Sequence, residues 1–320
     1  MNQYKVLLEN LGFSNAKLQK EIESANSKVL KCEINHQQMV AIKLYTGLPN
    51  IALNKFEREC KAITFLTSHG FTNIPKLIAK NLELKVSVFE WIDGEVPKSN
   101  LKTLAQILNL VDALKSVFII DPSFNSAIDS IVFGNDLVSQ ILTRLQFVPE
   151  DLNPELKFWW QKNIELRLNK YLHNFDGNVA YDFLTYSPSD LGTHNMIETI
   201  NEVFFIDFEY FGKDSIYKLL GDFILHPRNT FNNSLIQKFL TELRNIHQFD
   251  YLLVQNIIPL LSLKWALIAF DRELKDNVSN RLNLKIQNFS SSKAFKYLRF
   301  FDELLVNPKL GLSTSFFNFR

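Results

Sequence analysis

The hydrophobic pattern of the chain changes near residue 90, and this change limits the folds that it can adopt. Before that point, residues 27–34 and 40–45 alternate apolar and polar side chains and contain several β-branched residues. This pattern predicts two strands joined by a turn at 36–39. Residues 54–68 repeat apolar side chains at helical spacing, and residues 86–89 indicate a further strand. The first ninety residues are therefore predicted to form a small β-sheet with one helix.

After Gly94 the period is helical over most of the chain. A different pattern occurs at 186–195, which is rich in turn-forming residues and precedes two short apolar runs at 196–197 and 203–206. Such a pattern is typical of a loop followed by a β-hairpin. The segments with helical spacing are 101–118, 130–146, 154–173, 218–227, 233–247, 251–275 and 293–305.

The charge balance excludes several classes of partner. The chain has 35 Lys and Arg residues against 34 Asp and Glu residues, which leaves a formal net charge of +1. Electrostatic attraction to nucleic acid or to an anionic membrane is therefore not expected. The N-terminal segment is charged throughout and lacks the apolar stretch of a secretory signal, so we expect a cytoplasmic protein. Cys32 and Cys60 are too few for a disulfide framework, and both are predicted to be buried thiols.

Residues 251–270 are long and apolar enough to suggest a membrane helix. Polar residues and a proline interrupt this segment, and its Lys264 alone would cost about 2.5 to 3.5 kcal/mol at the centre of a bilayer. We therefore predict a core helix here, bent at Pro259, and no membrane span.

Lys43 is unusual because its neighbours in the predicted strand are apolar. Its ammonium must leave the sheet on one side, where it either reaches solvent or finds an acidic partner. Glu59, on the predicted helix 54–68, is the candidate partner.

Three polar residues, Asp190, Asn195 and Asp207, surround the predicted hairpin. Asp207 follows the second apolar run, so an antiparallel return would bring it beside Asn195. A carboxylate and an amide that converge in this way provide the oxygen ligands that Mg²⁺ prefers. Asp190 would then be available for an acceptor hydroxyl. Taken singly, each of these residues could instead form a side-chain turn within the loop.

The order and spacing of these residues resemble the aminoglycoside phosphotransferase and choline kinase family, small-molecule relatives of the protein kinases. The resemblance extends over about residues 23–227 and is strongest at 187–195 and 206–214. It implies an α+β, bilobal protein-kinase-like fold. Residues 1–90 would form a nucleotide-binding lobe with a small antiparallel β-sheet and one helix, and residues 91–320 a larger, mostly helical lobe. The hinge between them would lie at about 89–94.

The resemblance also implies cofactors, ATP and Mg²⁺, and a role for each site residue. Lys43 would bind the α- and β-phosphates and be held by Glu59, because the flexible stem of a lysine needs a carboxylate to fix it. Asn195 and Asp207 would hold Mg²⁺, and Asp190 would orient the acceptor hydroxyl and accept its proton. The remaining nucleotide contacts would come from Asn26, Ser27, Glu90 and Ile92.

Three positions depart from the family pattern. Pro188–Ser189 stands where the family has His-Gly before the catalytic aspartate. The turn at 23–27, which would cover the phosphates, contains no glycine. Lys218 replaces an aspartate that many members carry after the second metal ligand. The helix at 218–227 places Lys218 and Asp222 on one face, together with His226, either as a stabilising pair or in support of the catalytic loop.

The acceptor is expected to be a small molecule with a hydroxyl group. Residues 251–320, which by resemblance help to build its pocket, carry a net charge of +5. This charge favours a neutral or anionic compound, such as a sugar or a polysaccharide precursor, over a polycationic antibiotic or a quaternary amine. The alternative is a nucleotide-binding pseudokinase that regulates a partner. A protein kinase is disfavoured, because no Ala-Pro-Glu sequence or long activation segment follows Asp207.

Overall fold

The computed structural model describes residues 7–13, 15–23, 27–34, 38–173, 178–181, 183–289 and 291–306. The strands are β1 Lys17–Glu23, β2 Ser27–Ile34, β3 Gln38–Tyr45, β4 Leu77–Asn81, β5 Val86–Glu90, β6 Leu184–Ser187, β7 Met196–Glu198, β8 Val203–Phe205 and β9 Gly212–Ser215. The helices are α1 Pro49–Ser68, α2 Leu101–Ile120, α3 Gly134–Gln146, α4 Pro154–His173, α5 Ile216–Leu225, α6 Asn233–His247, α7 Tyr251–Asp276 and α8 Lys293–Val306.

Two compact units share these elements. The first consists of residues 1–98 and 188–212, and the second consists of residues 99–187 and 213–320. The hairpin of β7 and β8 therefore groups with the N-terminal sheet, although residues 99–187 lie between them in sequence. The predicted lobes 1–90 and 91–320 remain a prediction.

The first unit contains an antiparallel sheet in the order β1-β2-β3-β5-β4. Leu30 and Cys32 of β2 share a core face with Val40 and Ile42 of β3. Because successive side chains of a strand point to opposite faces, Lys43 leaves the sheet on the other side. The alternation in the sequence therefore predicted both strands correctly. The predicted turn at 36–39 is wrong in its second half, because Gln38 and Met39 already belong to β3. Residues 36 and 37 lie outside the described residues.

Helix α1 begins at Pro49, five residues before the predicted start at 54. A proline suits the first turn of a helix, because the N–H that it lacks would have no helical partner there. The buried face of α1 includes Phe56, Cys60 and Ile63, and also the charged residues Lys55 and Glu59. Burial raises the pKa of Cys60 to about 12, as expected for an inert thiol in an apolar environment.

The second unit is mostly helical, which together with the sheet of the first unit confirms the predicted α+β, protein-kinase-like fold class. Most predicted helices agree with the structure to within two residues at each end. Helix α3 begins at Gly134 rather than at residue 130. The preceding residues are not helical: Phe133 has an extended backbone, and the Val132 carbonyl accepts a hydrogen bond from the Tyr181 N–H at 2.6 Å.

Two helices, α2 and α7, are long and apolar enough to cross a membrane by length and composition. Core helices of soluble proteins meet the same criterion. The most apolar window of α7 is 61% buried inside the structure, and that of α2 is 39% buried. Lys264 of α7 directs its ammonium to the Gln140 side chain of α3 at 2.6 Å.

A buried charge cluster occupies the beginning of α5. The Lys218 ammonium lies 2.8 Å from Asp214 and 2.9 Å from Asp222, and all three residues are buried. The predicted pair of Lys218 and Asp222 is therefore present, with Asp214 as a second partner. Burial lowers the pKa of Lys218, but the two carboxylates outweigh burial and raise it far above its usual value. His226 follows the end of α5, and its ring packs edge-on against Trp265.

We predict that Lys218→Met destabilises the protein by about 3 to 5 kcal/mol, because it leaves two buried carboxylates without their cation. Urea denaturation of the variant and the unmodified protein measures the difference. Lys275→Met is the control, since Lys275 pairs with Asp271 on an exposed face of α7 and should change stability by less than about 1 kcal/mol. Equal stability of the Lys218 variant and the unmodified protein would contradict the prediction.

Candidate functional site

The ammonium of Lys43 is surrounded by carboxylates. It lies 2.7 Å from Glu59, 2.6 Å from Asp207 and 3.4 Å from Glu209. Lys43 is only 6% exposed, so these ion pairs have little competition from water. Burial lowers the pKa of Lys43, but Asp207 and Glu59 outweigh burial and hold it well above its usual value. The expected pair of Lys43 and Glu59 is thus present, with two partners that the sequence did not indicate.

Glu59 connects Lys43 to the backbone around Asp207. Its Oε2 accepts hydrogen bonds from Lys43 and from the Tyr45 hydroxyl at 2.6 Å, and its Oε1 accepts one from the Phe208 N–H at 3.2 Å. Burial raises the pKa of Glu59, and the Lys43 ammonium acts in the opposite direction. This carboxylate therefore holds the lysine and the residue after Asp207 in one arrangement.

Helix α1 also contacts the residues that follow Phe208. Arg58 donates a hydrogen bond to the Phe211 carbonyl at 2.8 Å, and Lys55 forms an ion pair with Glu209 at 2.9 Å. The Lys55 ammonium also lies over the Tyr210 ring. Residues 207–211 are therefore fixed against one face of α1.

The hairpin of β7 and β8 brings Asn195 next to Asp207. Met196 pairs with Phe205, and the Ile206 N–H donates a hydrogen bond to the Asn195 carbonyl at 2.9 Å. The antiparallel return expected from the sequence therefore occurs. The side-chain amide of Asn195 donates to the carbonyl of Asp190 at 3.1 Å, which ties the Asp190 loop to the hairpin.

Two non-glycine residues next to these groups have left-handed backbones. Asp207 has a φ of 65° and Ser189 has a φ of 61°. Aspartate tolerates this conformation better than most residues, whereas glycine adopts it without a steric penalty. The conformation of Ser189 gives a physical reason for the glycine that the related motif carries before its catalytic aspartate.

The chemistry of the donors at Asn195 and Asp207 fits Mg²⁺. The side-chain NH₂ group of Asn195 donates a hydrogen bond to the Asp190 carbonyl, which leaves the side-chain oxygen of Asn195 as the metal-binding atom. Asp207 uses Oδ1 for Lys43 and has a second carboxylate oxygen. Hard cations prefer such oxygen ligands, and Mg²⁺ commonly takes only one or two from the protein. The roles of these residues in metal binding remain predictions.

The predicted adenine contacts lie at the end of β5. The Glu90 N–H donates a hydrogen bond to the Lys76 carbonyl at 2.9 Å, and the Trp91 N–H donates one to the Met39 carbonyl at 3.3 Å. Glu90 could therefore serve adenine only through its carbonyl, with Ile92 as the candidate donor. Glu90 and Trp91 also line a cleft of about 490 Å³ together with residues of β2, β3 and β4.

The other two predicted nucleotide contacts belong to the turn before β2. Ser27 is buried at the first position of β2, opposite Tyr45 of β3. Asn26 lies outside the described residues.

Sequence reasoning missed Lys55, Tyr45 and Glu209. Two signals were available, because Lys55 precedes Glu59 by one helical turn and Glu209 follows Asp207 by two residues. Neither signal indicates that the two segments meet, since they are separated by about 150 residues in sequence.

Gly94 fits the segment after β5 against β7. Glu95 and Glu198 exchange backbone hydrogen bonds at 3.1 and 2.7 Å, so the chain passes close to β7 at this point. A Cβ at Gly94 would lie 2.3 Å from the Glu198 carbonyl oxygen. Only glycine allows this approach without displacing the backbone.

We predict that Gly94→Ala destabilises the protein by about 1 to 3 kcal/mol, because its methyl group overlaps a backbone atom rather than a mobile side chain. Thermal unfolding measures the effect. Asp93→Ala, at the exposed neighbouring position, serves as the control and should leave the melting temperature nearly unchanged. If the Gly94 variant has the same melting temperature as the control, β7 can shift freely and the prediction is wrong.

No protein-family model matches the chain. The chain is 26% identical over 163 residues to the Protein LicA homolog of Mycoplasma capricolum subsp. capricolum. That match covers 49% of this chain and 56% of the relative, so it spans about half of each.

Solved structures match over nearly the full length. The choline kinase LicA from Streptococcus pneumoniae gives a TM-score of 0.62 at 14% identity and covers 93% of this chain and 99% of its own. A choline/ethanolamine kinase family protein from Mesorhizobium loti gives a TM-score of 0.62 at 13% identity. This match covers 100% of this chain and 99% of the other protein. A spectinomycin phosphotransferase in complex with ADP and spectinomycin gives a TM-score of 0.57 at 14% identity. This match covers 96% of this chain and 98% of the other protein. The chain therefore has the fold of the choline kinases and aminoglycoside phosphotransferases, as the resemblance in its sequence predicted.

Proposed function

We propose that the protein transfers the γ-phosphoryl group of ATP to a hydroxyl group of a small molecule. The observation that carries this proposal is the buried Lys43 ammonium, held by Glu59 and Asp207, with Asn195 next to Asp207 across the hairpin. A fixed cation beside oxygen ligands for a metal is the arrangement that phosphoryl transfer requires. The fold, shared with small-molecule kinases, supports the same function.

Each residue has a defined task in the proposed reaction. Lys43 binds oxygens of the α- and β-phosphates, while Glu59 keeps its stem in place. Asn195 and Asp207 hold Mg²⁺, which when bound neutralises charge on the phosphate oxygens. Asp190 orients the acceptor hydroxyl and accepts its proton as the new O–P bond forms and the bond to the ADP oxygen breaks. We place adenine against the backbone of Glu90 and Ile92.

We propose a sugar or a polysaccharide precursor as the acceptor, on the basis of the net positive charge of residues 251–320. This segment has ten Lys and Arg residues against five Asp and Glu residues. Such a balance favours a neutral or anionic hydroxyl compound over a cationic one.

A second candidate acceptor is an amino alcohol such as choline. The observation that favours it is the similarity to the Protein LicA homolog and to a choline kinase of known structure. Turnover with ATP should be measured side by side for neutral sugars, sugar phosphates, choline and ethanolamine. We expect turnover with the sugars, and turnover with choline alone would replace the first candidate by the second.

We predict that ATP raises the melting temperature and that Mg²⁺ enlarges this rise. Ligand that binds the native state at 100 times its dissociation constant adds about 2.7 kcal/mol of stability. Asp207→Ala should abolish the Mg²⁺-dependent part of this shift, because it removes a metal ligand. A shift in the variant equal to that of the unmodified protein would exclude Asp207 as a ligand. If ATP stabilises neither protein, the phosphotransferase proposal fails and a regulatory role without catalysis is favoured.

We also predict that Asp190→Asn lowers turnover by about 100-fold to 10,000-fold, because the amide cannot accept the hydroxyl proton. The affinity for ATP should stay within about threefold, since Asp190 is assigned to the acceptor rather than to the nucleotide. Steady-state kinetics and nucleotide titration measure the two quantities. Loss of nucleotide binding in this variant would instead assign Asp190 a structural role.

A further inference from the structure

The ion pair of Lys55 and Glu209 lies directly beside Lys43. Glu209 is 1% exposed, and its two carboxylate oxygens face different lysines. Oε1 lies 2.9 Å from Lys55, and Oε2 lies 3.4 Å from Lys43. Lys55 is 5% exposed, and its ammonium also lies over the Tyr210 ring. The Glu209 carboxylate therefore lies within ion-pair distance of two lysines.

The cluster has one more negative than positive charge, and the loss of Lys55 would raise this excess to two. Two ammonium groups, of Lys43 and Lys55, face the three carboxylates of Glu59, Asp207 and Glu209. If Lys55 is removed, Lys43 becomes the cation within reach of all three. A buried carboxylate without a partner is costly, so Glu209 would then move toward Lys43.

The geometry of two backbone segments makes this division of partners possible. Lys55 and Glu59 stand one turn apart on α1 and share its buried face. Glu209 follows Asp207 by two residues. The helix therefore presents a cation to Glu209 and an anion to Lys43, which alternates the charges along the cluster. Burial lowers the pKa of Lys55, but Glu209 and Tyr210 together outweigh burial and raise it, so Lys55 stays charged.

We infer that Lys55 is a positioning residue for nucleotide binding: its ion pair with Glu209 at 2.9 Å keeps this carboxylate at 3.4 Å from Lys43 rather than in closer contact, so that Lys43 can bind phosphate oxygens. This inference rests on the proposed function, because it assigns a consequence to Lys43 binding a nucleotide. Lys55 itself touches no reacting group in this assignment. It acts only through Glu209 and Lys43, at the face of α1 one turn before Glu59.

The test compares four forms of the full chain: the unmodified protein, Lys55→Arg, Lys55→Met, and the double variant Lys55→Met with Glu209→Gln. The melting temperature without ligand reports stability, and titration with ATP reports affinity with and without Mg²⁺. We expect Lys55→Met to weaken ATP binding about tenfold or more, also without Mg²⁺, because the change acts on Lys43. We expect Lys55→Arg to stay within about threefold, since it keeps the cation.

The double variant separates positioning from simple stabilisation. Glu209→Gln removes the charge that Lys55 neutralises, so the double variant should recover most of the ATP affinity that Lys55→Met loses. If Lys55→Met fails to fold, the double variant still allows the test, because it has no unpaired buried carboxylate at position 209. Lys218→Met is the matched control, since it removes a buried lysine from a carboxylate cluster in the second unit. It should lower the melting temperature but leave ATP affinity unchanged.

Three results overturn the inference, and they can be told apart. If the unmodified protein binds no ATP, the proposed function fails and the inference fails with it. If the unmodified protein binds ATP and Lys55→Met binds it equally well, only the inference fails. If the double variant binds ATP as weakly as Lys55→Met, or fails to fold, the loss does not arise from Glu209 and the positioning role is excluded.

Discussion

The burial of one ammonium group, that of Lys43, determines the arrangement of the whole first unit. A lysine that is almost excluded from water must be paired, and this chain pairs it with carboxylates from α1 and from the segment after β8. Lys43 and those partners come from three regions of the sequence. The ion pairs therefore require that the sheet, the helix and the hairpin be assembled together. The cost of an unpaired buried charge makes this requirement strong.

Helix α1 is the element through which this requirement acts. Its buried face combines an apolar stripe, which packs under the sheet, with Lys55 and Glu59. These two residues and the half-buried Arg58 contact residues 207–211. Packing alone would allow the helix to slide by a turn. The polar contacts fix its register, because each needs a donor and an acceptor at a set distance.

The departures from the family motif have local physical explanations. Ser189 adopts a left-handed backbone where glycine would carry less strain. Lys218, which replaces an aspartate, is accommodated because Asp214 and Asp222 supply the opposite charges. A motif can therefore change its residues while the neighbouring side chains compensate.

The sequence by itself determined most of the elements, because strand alternation and helical spacing are local patterns that reflect which side of each element is buried. It also determined the return of Asp207 to Asn195, since a short hairpin allows few alternatives. It placed the start of α1 five residues late, where no periodic apolar residue marks the first turn. Only the tertiary structure decided that Lys55 and Glu209 meet beside Lys43. That contact joins segments about 150 residues apart, and no local pattern encodes which distant charges will share a buried space.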